Sequence, residues 1–99
     1  MFNKKDDQAY DQAFAYVKRS KNREQLIKIL ATNRKTPSEI TETMDKRFSL
    51  VSRILADLKE HDIVVCTNED DKTGRIYKLT DMGLEIYNEL ESNWMLSSI

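Results

Sequence analysis

The sequence predicts a mainly α-helical fold with one small β-hairpin, and three observations support this fold class. The 99 residues include only two glycines and one proline, too few for a β-sandwich with its many tight turns. Apolar residues recur at helical spacing in five segments of the chain. Two short runs of strand type lie between the last two of these segments. We therefore expect a single domain, residues 1–99, with a modest core.

The first two helices are predicted from apolar stripes that a polar segment interrupts. Residues 6–19 carry the first stripe, which consists of Ala9, Tyr10, Ala13, Phe14 and Val17. The polar segment that follows contains Ser20 and Asn22, and either residue can cap a second helix over about residues 23–31. Residues 32–35 are polar and predict a turn.

A short helix and a longer helix come next, separated by a three-residue turn. Thr36, Pro37 and Glu39 stand in the order of a capping box with proline at the first helical position. This short helix is expected to end near residue 43 or 44. After the turn at residues 45–47, a helix is predicted over residues 48–61. Its expected core face consists of Phe48, Val51, Ile54, Leu55 and Leu58.

Residues 63–79 predict an antiparallel hairpin. Residues 63–66 form a β-branched run, residues 75–79 alternate between polar and apolar, and a long charged tip joins the two. Asp62 occupies the position after a helix where glycine is usual. A last helix is predicted over residues 80–96. This order of elements is that of a winged helix-turn-helix core, residues 22–80, with added N- and C-terminal helices.

Three segments resemble the winged-helix regulators of the MarR and ArsR type. Residues 35–40 are similar to the start of their turn motif, residues 48–60 to their recognition helix, and residues 74–83 to their second wing strand and the helix after it. The resemblance covers residues 22–90 and is greatest to small single-domain archaeal proteins. It implies DNA binding and transcriptional control. The chain departs from the pattern at its turn, which lacks glycine, and at its acidic wing tip.

In such a motif the recognition helix enters the major groove, where its first outward residues meet base edges. The residues predicted to read bases are Ser49, Leu50, Ser52 and Arg53. The Arg53 guanidinium suits guanine, whose O6 and N7 both accept hydrogen bonds. The alternative for Arg53 is an ion pair with Asp57, one helical turn later. The hairpin of residues 63–79 is the expected wing.

Basic residues around the motif are predicted to contact phosphates, and ordinary solvation is the alternative for each. They are Arg34, Lys35, Lys46, Arg47, Lys72 and Arg75. The net charge of −1 conceals a segregation of charge. Residues 17–47 hold nine Lys and Arg against four Asp and Glu, whereas residues 48–99 hold five against ten. The positive charge is therefore concentrated where a polyanion would meet the motif.

The first and last helices carry more apolar surface than a small winged domain needs. We predict that they form a homodimer interface through Tyr10, Ala13, Phe14, Val17, Tyr87, Leu90 and Trp94. Such a dimer would place two recognition helices roughly 34–36 Å apart, one turn of duplex DNA. The alternative is that these stripes pack within one chain.

The sequence thus predicts sequence-specific binding of double-stranded DNA and transcriptional regulation as a homodimer. A rival from another class is a winged-helix module that binds a protein partner and no DNA, which the acidic pI of about 5.8 favours. A third interpretation is a regulator that responds to a small molecule bound at the dimer seam, between Tyr10, Phe14, Tyr87 and Trp94.

Other functional classes lack the residues they need. A single cysteine, Cys66, and a single histidine, His61, cannot build a Cys/His metal cluster, so neither a metal nor another cofactor is expected. No nucleophile is paired with a base and no glycine-rich loop is present, so an enzyme is not expected. The chain has no apolar run long enough for a membrane span and no signal sequence, which predicts a cytoplasmic protein.

Overall fold

The computed structural model describes the backbone of residues 7–70 and 74–97 and the side chains of residues 8–70 and 74–92. Five helices and one hairpin follow in the expected order, which confirms the fold class. The elements are α1 (Asp7–Lys18), α2 (Lys21–Thr32), α3 (Pro37–Met44), α4 (Phe48–Glu60), β1 (Val64–Cys66), β2 (Tyr77–Leu79) and α5 (Asp81–Ser97). None of these helices combines the length and the apolar character that crossing a bilayer requires.

The N-terminal caps of α2 and α3 are those that the sequence indicates. Ser20 is the cap of α2, where its hydroxyl accepts a bond from the Arg23 amide at 3.4 Å. At α3 the Thr36 hydroxyl accepts from the Glu39 amide at 3.2 Å, and the Glu39 carboxylate accepts from the Thr36 amide at 2.9 Å. The bonds from Thr36 lower the pKa of the Glu39 carboxyl group.

Two aspartates end helices in the left-handed conformation that usually calls for glycine. Asp45, with φ of 56°, closes α3 and forms the corner before α4. Asp62, with φ of 59°, follows α4. Its amide donates to the carbonyl oxygen of Lys59 and the Ile63 amide to that of Leu58, at 3.0 and 2.9 Å. This is the Schellman pattern, with aspartate at the position expected for glycine.

The hairpin is antiparallel as expected, but its strands are shorter than the predicted runs. Val64 pairs with Leu79, and Cys66 pairs with Tyr77. A third segment joins this sheet, because Lys35 exchanges two backbone bonds with Tyr77, at 3.0 and 2.8 Å. Residues 32–35, interpreted from sequence as a polar turn, therefore tether the start of α3 to the wing.

One core gathers buried side chains from every element. They are Tyr10, Ala13, Val17, Leu26, Ile27, Leu30, Ile40, Met44, Val51, Ile54, Leu55, Leu58, Ile63, Val64, Cys66, Tyr77, Leu79, Ile86 and Leu90. The expected core position of Phe48 is wrong, because its side chain is 54% exposed at the first residue of α4, beyond the edge of the core. Leu50, expected to face outward, is half-buried against the core.

The first and last helices, α1 and α5, pack within the single chain. The sequence left this packing as the alternative to a homodimer interface. Of the predicted interface residues, Tyr10, Ala13, Val17 and Leu90 are buried in the core and are not accessible to a partner. The Tyr10 hydroxyl donates to Glu89 Oε1 at 2.8 Å and joins α1 to α5. Phe14 and Tyr87 are half-buried. The side chain of Trp94 lies outside the described residues.

Candidate nucleic-acid interface

The corner between α3 and α4 opens onto a groove of about 750 Å³. Its lining residues are Asp45, Lys46, Arg47, Ser49, Leu50 and Arg53. Three of the four residues predicted to read bases therefore lie beside two of those predicted to hold phosphates. Residues 46–56 contain no acidic residue, so the first two turns of α4 present an exposed surface that carries only positive formal charge.

A second, smaller groove of about 290 Å³ lies where α4 meets the start of α3 and the wing. It is lined by Thr36, Pro37, Ser38, Phe48, Ser52, Gly74, Arg75 and Tyr77. Ser52 is the fourth predicted base-reading residue, and Arg75 is a predicted phosphate contact from the wing. The backbone pairing of Lys35 with Tyr77 holds this wing strand beside α3. The predicted sites on α4 and on the wing thus border adjacent grooves.

Arg53 projects from α4 into solvent, and among the side chains of residues 8–70 and 74–92 it forms no ion pair with Asp57 or any other acid. Asp57 instead lies close to the Tyr16 hydroxyl. The pKa of Tyr16 is raised, chiefly because the ring is buried, and the neighbouring Asp57 carboxylate adds to this effect while Arg23 opposes it. The helical ion pair that the sequence left as an alternative is therefore not formed.

At the C-terminal end of α4, the side chains of His61, Tyr16 and Arg23 form a stack. The rings of Tyr16 and His61 are nearly parallel, with centroids 4.0 Å apart. The Arg23 guanidinium covers the other side, 3.7 Å from the Tyr16 ring centre, and its Nη1 donates to the Tyr16 carbonyl oxygen at 2.7 Å. This stack connects α1 and α2 to the end of α4.

One of the acidic residues at the wing tip pairs with a basic residue of α4. Glu69 forms an ion pair with Lys59 on α4, and the pairing lowers the pKa of the Glu69 carboxyl group. Asn68 closes the loop, because its amide donates to the Gly74 carbonyl oxygen at 2.9 Å and accepts from the Ile76 amide at 2.7 Å. Lys72, a predicted phosphate contact, lies outside the described residues.

The two remaining predicted phosphate contacts flank this surface without lining either groove. Arg34 is exposed and Lys35 is half-buried, both in the segment that leads into α3. Phe48, in contrast, lines the smaller groove and was missed as a site residue. Its spacing from Val51 and Leu55 matches the core stripe of α4, so no sequence signal marked it as exposed. The described residues hold no group of three or more His, Cys, Asp or Glu side chains suited to a metal ion.

No protein-family profile matches the sequence, and no curated protein matches it. Solved structures do share its fold. A MepR–DNA complex from S. aureus has 15% sequence identity and a TM-score of 0.73, over 95% of this chain and 79% of MepR. The homodimeric winged helix-turn-helix DNA-binding domain Mb0332 from Mycobacterium bovis, a possible ArsR-family regulator, has 14% identity and a TM-score of 0.73, over 99% and 88% of the two chains.

ZitR from Lactococcus lactis has 20% identity and a TM-score of 0.69, over 80% of this chain. This chain spans only 56% of the length of ZitR. The solved chains of this fold include transcription regulators described as MarR-family and ArsR-family proteins. At these identities the likeness establishes the winged helix-turn-helix fold, and the similarity to archaeal proteins stays a prediction.

Proposed function

We propose that this chain binds specific sequences of double-stranded DNA and regulates transcription as a homodimer. The observation that carries the proposal is the exposed first half of α4, where Ser49, Ser52 and Arg53 face solvent and no acidic residue interrupts positions 46–56. An exposed helix face of this charge suits the major groove, where base edges present acceptors to an arginine and phosphates line both sides.

Each side chain has a role that follows from its place. Arg53 donates to guanine from the centre of the exposed face, and Ser49 and Ser52 donate to neighbouring bases. Leu50 is half-buried, so its proposed role is an apolar contact with the DNA at the edge of the exposed face of α4. Lys46 and Arg47 meet phosphates at the corner, and Arg34, Lys35, Lys72 and Arg75 extend these contacts to either side.

Dimerisation is proposed because a single small module buries little surface on DNA. The S. aureus relative is described in a DNA complex and the M. bovis relative as homodimeric, and both share this fold. Of the predicted interface residues with described side chains, Phe14 and Tyr87 retain exposed surface. We assign the dimer contact to these two residues and to the C-terminal end of α5, including Trp94.

The first test is selection of bound fragments from a randomised duplex pool at about 100 mM salt. We expect an enriched motif with two-fold symmetry. Failure of a folded protein to enrich any motif would contradict the proposal and would favour the rival function, binding to a protein partner.

Two variants then separate base contacts from phosphate contacts. Arg53→Ala should weaken binding to the best site by about 10- to 100-fold and relax the preference at one base position. Lys46→Ala should weaken all sequences alike and reduce the salt slope by about one unit. Equal effects of the two variants on all sequences would contradict the assigned reading face.

A further inference from the structure

We propose that Phe48 reads the C5-methyl group of a thymine, and this inference rests on the proposed DNA binding. Phe48 is the first residue of α4 and its side chain is 54% exposed. Among the described large hydrophobic side chains, only Phe48 and Leu84 on α5 are exposed to this degree. A ligand that covered the Phe48 ring would supply the free energy of burial that the exposed side chain lacks.

The surroundings of Phe48 define what that ligand is. The ring borders the smaller groove, where the half-buried Pro37 adds apolar surface and the exposed Arg75 adds a positive charge. This combination suits a partner that is apolar at one point and anionic beside it. Duplex DNA offers that combination in its major groove, where the thymine methyl group is the apolar feature of the base edges and phosphates line the rim.

The position of Phe48 on α4 fixes which base it meets. Phe48 lies one helical turn before Ser52, and both side chains line the same groove. Arg53 lines the other groove, together with Ser49. The thymine should therefore lie beside the base that Ser52 faces and on the wing side of the base that Arg53 reads.

The test replaces each thymine of the selected duplex in turn by deoxyuridine, which lacks only the C5-methyl group. For the unsubstituted protein we expect about a fourfold loss of affinity at one thymine in each half-site, the effect of one buried methyl group. Phe48→Ala should lose the discrimination at that thymine and bind its thymine and deoxyuridine duplexes equally.

Leu84→Ala provides the matched control, because it removes the other large apolar side chain that is exposed among the described residues, on α5. This variant should keep the fourfold discrimination. The inference is overturned if the unsubstituted protein binds all deoxyuridine duplexes as tightly as the parent duplex, or if Phe48→Ala retains the discrimination. Absence of any duplex binding by the unsubstituted protein would instead contradict the proposed function itself, and the inference with it.

Discussion

Gly83 stands where the start of α5 crosses the chain leading into β1. A Cβ atom at this position would lie closer than 3.0 Å to the Ile63 carbonyl oxygen and 3.2 Å from the Leu79 side chain. That oxygen cannot move freely, because it accepts a backbone bond from Thr80 at 3.0 Å. The close approach of two backbone segments is therefore possible only with glycine.

We expect Gly83→Ala to lower the free energy of unfolding by about 1–3 kcal/mol, since one of the two backbones must shift. Urea unfolding followed by circular dichroism measures the change. The control is Asn88→Ala at an exposed position of the same helix, which should stay within about 0.5 kcal/mol of the parent protein. Equal stability of Gly83→Ala and Asn88→Ala would contradict the geometry.

Asp62 provides a prediction of the opposite sign. Its left-handed backbone and its negative charge at the C-terminal end of α4 are both unfavourable. We expect Asp62→Gly to raise the free energy of unfolding by about 1 kcal/mol. This figure is net of the larger conformational entropy that glycine has in the unfolded chain, which lowers the gain. Glu60→Gly, inside the last turn of α4, should instead lose about 1 kcal/mol. A loss of stability in both variants would show that the aspartate conformation carries no strain.

The place of Asp62 at the end of α4 was predictable from the sequence, because helix ends depend on local chain geometry. The apolar repeat of α4 ends before it and a β-branched run follows, so a helix end had to lie there. Phe48 was not predictable. It shares the spacing of the core stripe, but whether the first residue of a helix reaches the core depends on how far the neighbouring elements extend. That information is tertiary.

At the level of single elements, α3 depends on its capping box. The helix has only eight residues, too few to be stable alone, and two reciprocal bonds between Thr36 and Glu39 satisfy its first amides. We expect Thr36→Ala to lower the free energy of unfolding by about 1 kcal/mol. Thr36→Ser keeps the hydroxyl and should be close to the parent protein in the same thermal or urea unfolding experiment. Equal losses in the two variants would mean that the methyl group, and not the cap, matters.

Helices and hairpin were predictable as elements because their apolar periods and caps are local signals. The tether between Lys35 and Tyr77 was not, since a single bridged residue has no period. The ion pair between Lys59 and Glu69 was equally hidden, because it joins a helix to a loop across a distance that only folding sets. The wing could therefore be expected, but its attachment to Lys35 and the pairing of Glu69 with Lys59 could not.

Across the whole molecule, Tyr10 makes stability depend on alkaline pH. Burial of the Tyr10 hydroxyl and its bond to the Glu89 carboxylate raise the pKa of this group above its ordinary value of about 10. The folded chain therefore holds the phenol proton more tightly than the unfolded chain does. The resulting stability is complete below pH of about 10 and is lost as the pH rises through the folded-state pKa.

We expect the free energy of unfolding to fall less between pH 8 and pH 11 for Tyr10→Phe than for the parent protein. Urea unfolding at the two pH values measures this difference. Asn88→Ala changes an exposed, non-titrating side chain of α5 and should keep the parental pH dependence. A parallel fall in Tyr10→Phe and the parent protein would exclude the contribution of Tyr10.

At the scale of the whole molecule, the homodimer stays a prediction, and one chain leaves less surface for it than the sequence suggests. The stripe on α1 predicted a partner, but four of the seven predicted interface residues are buried within one chain. An apolar stripe indicates that one face of a helix is buried, but it does not distinguish burial within the chain from burial against a second chain. The fit between surfaces of two chains is set by shape, which the order of residues does not reveal.

The bond between Tyr10 and Glu89 joins positions 79 residues apart in a chain of 99. During synthesis, α1 leaves the ribosome long before α5 has been translated. The native partner of Tyr10 is thus missing until α5 has been translated, and a contact of such long range carries a large loop-closure entropy cost. The bond that joins α1 to α5 therefore cannot form before translation has passed the wing and reached α5.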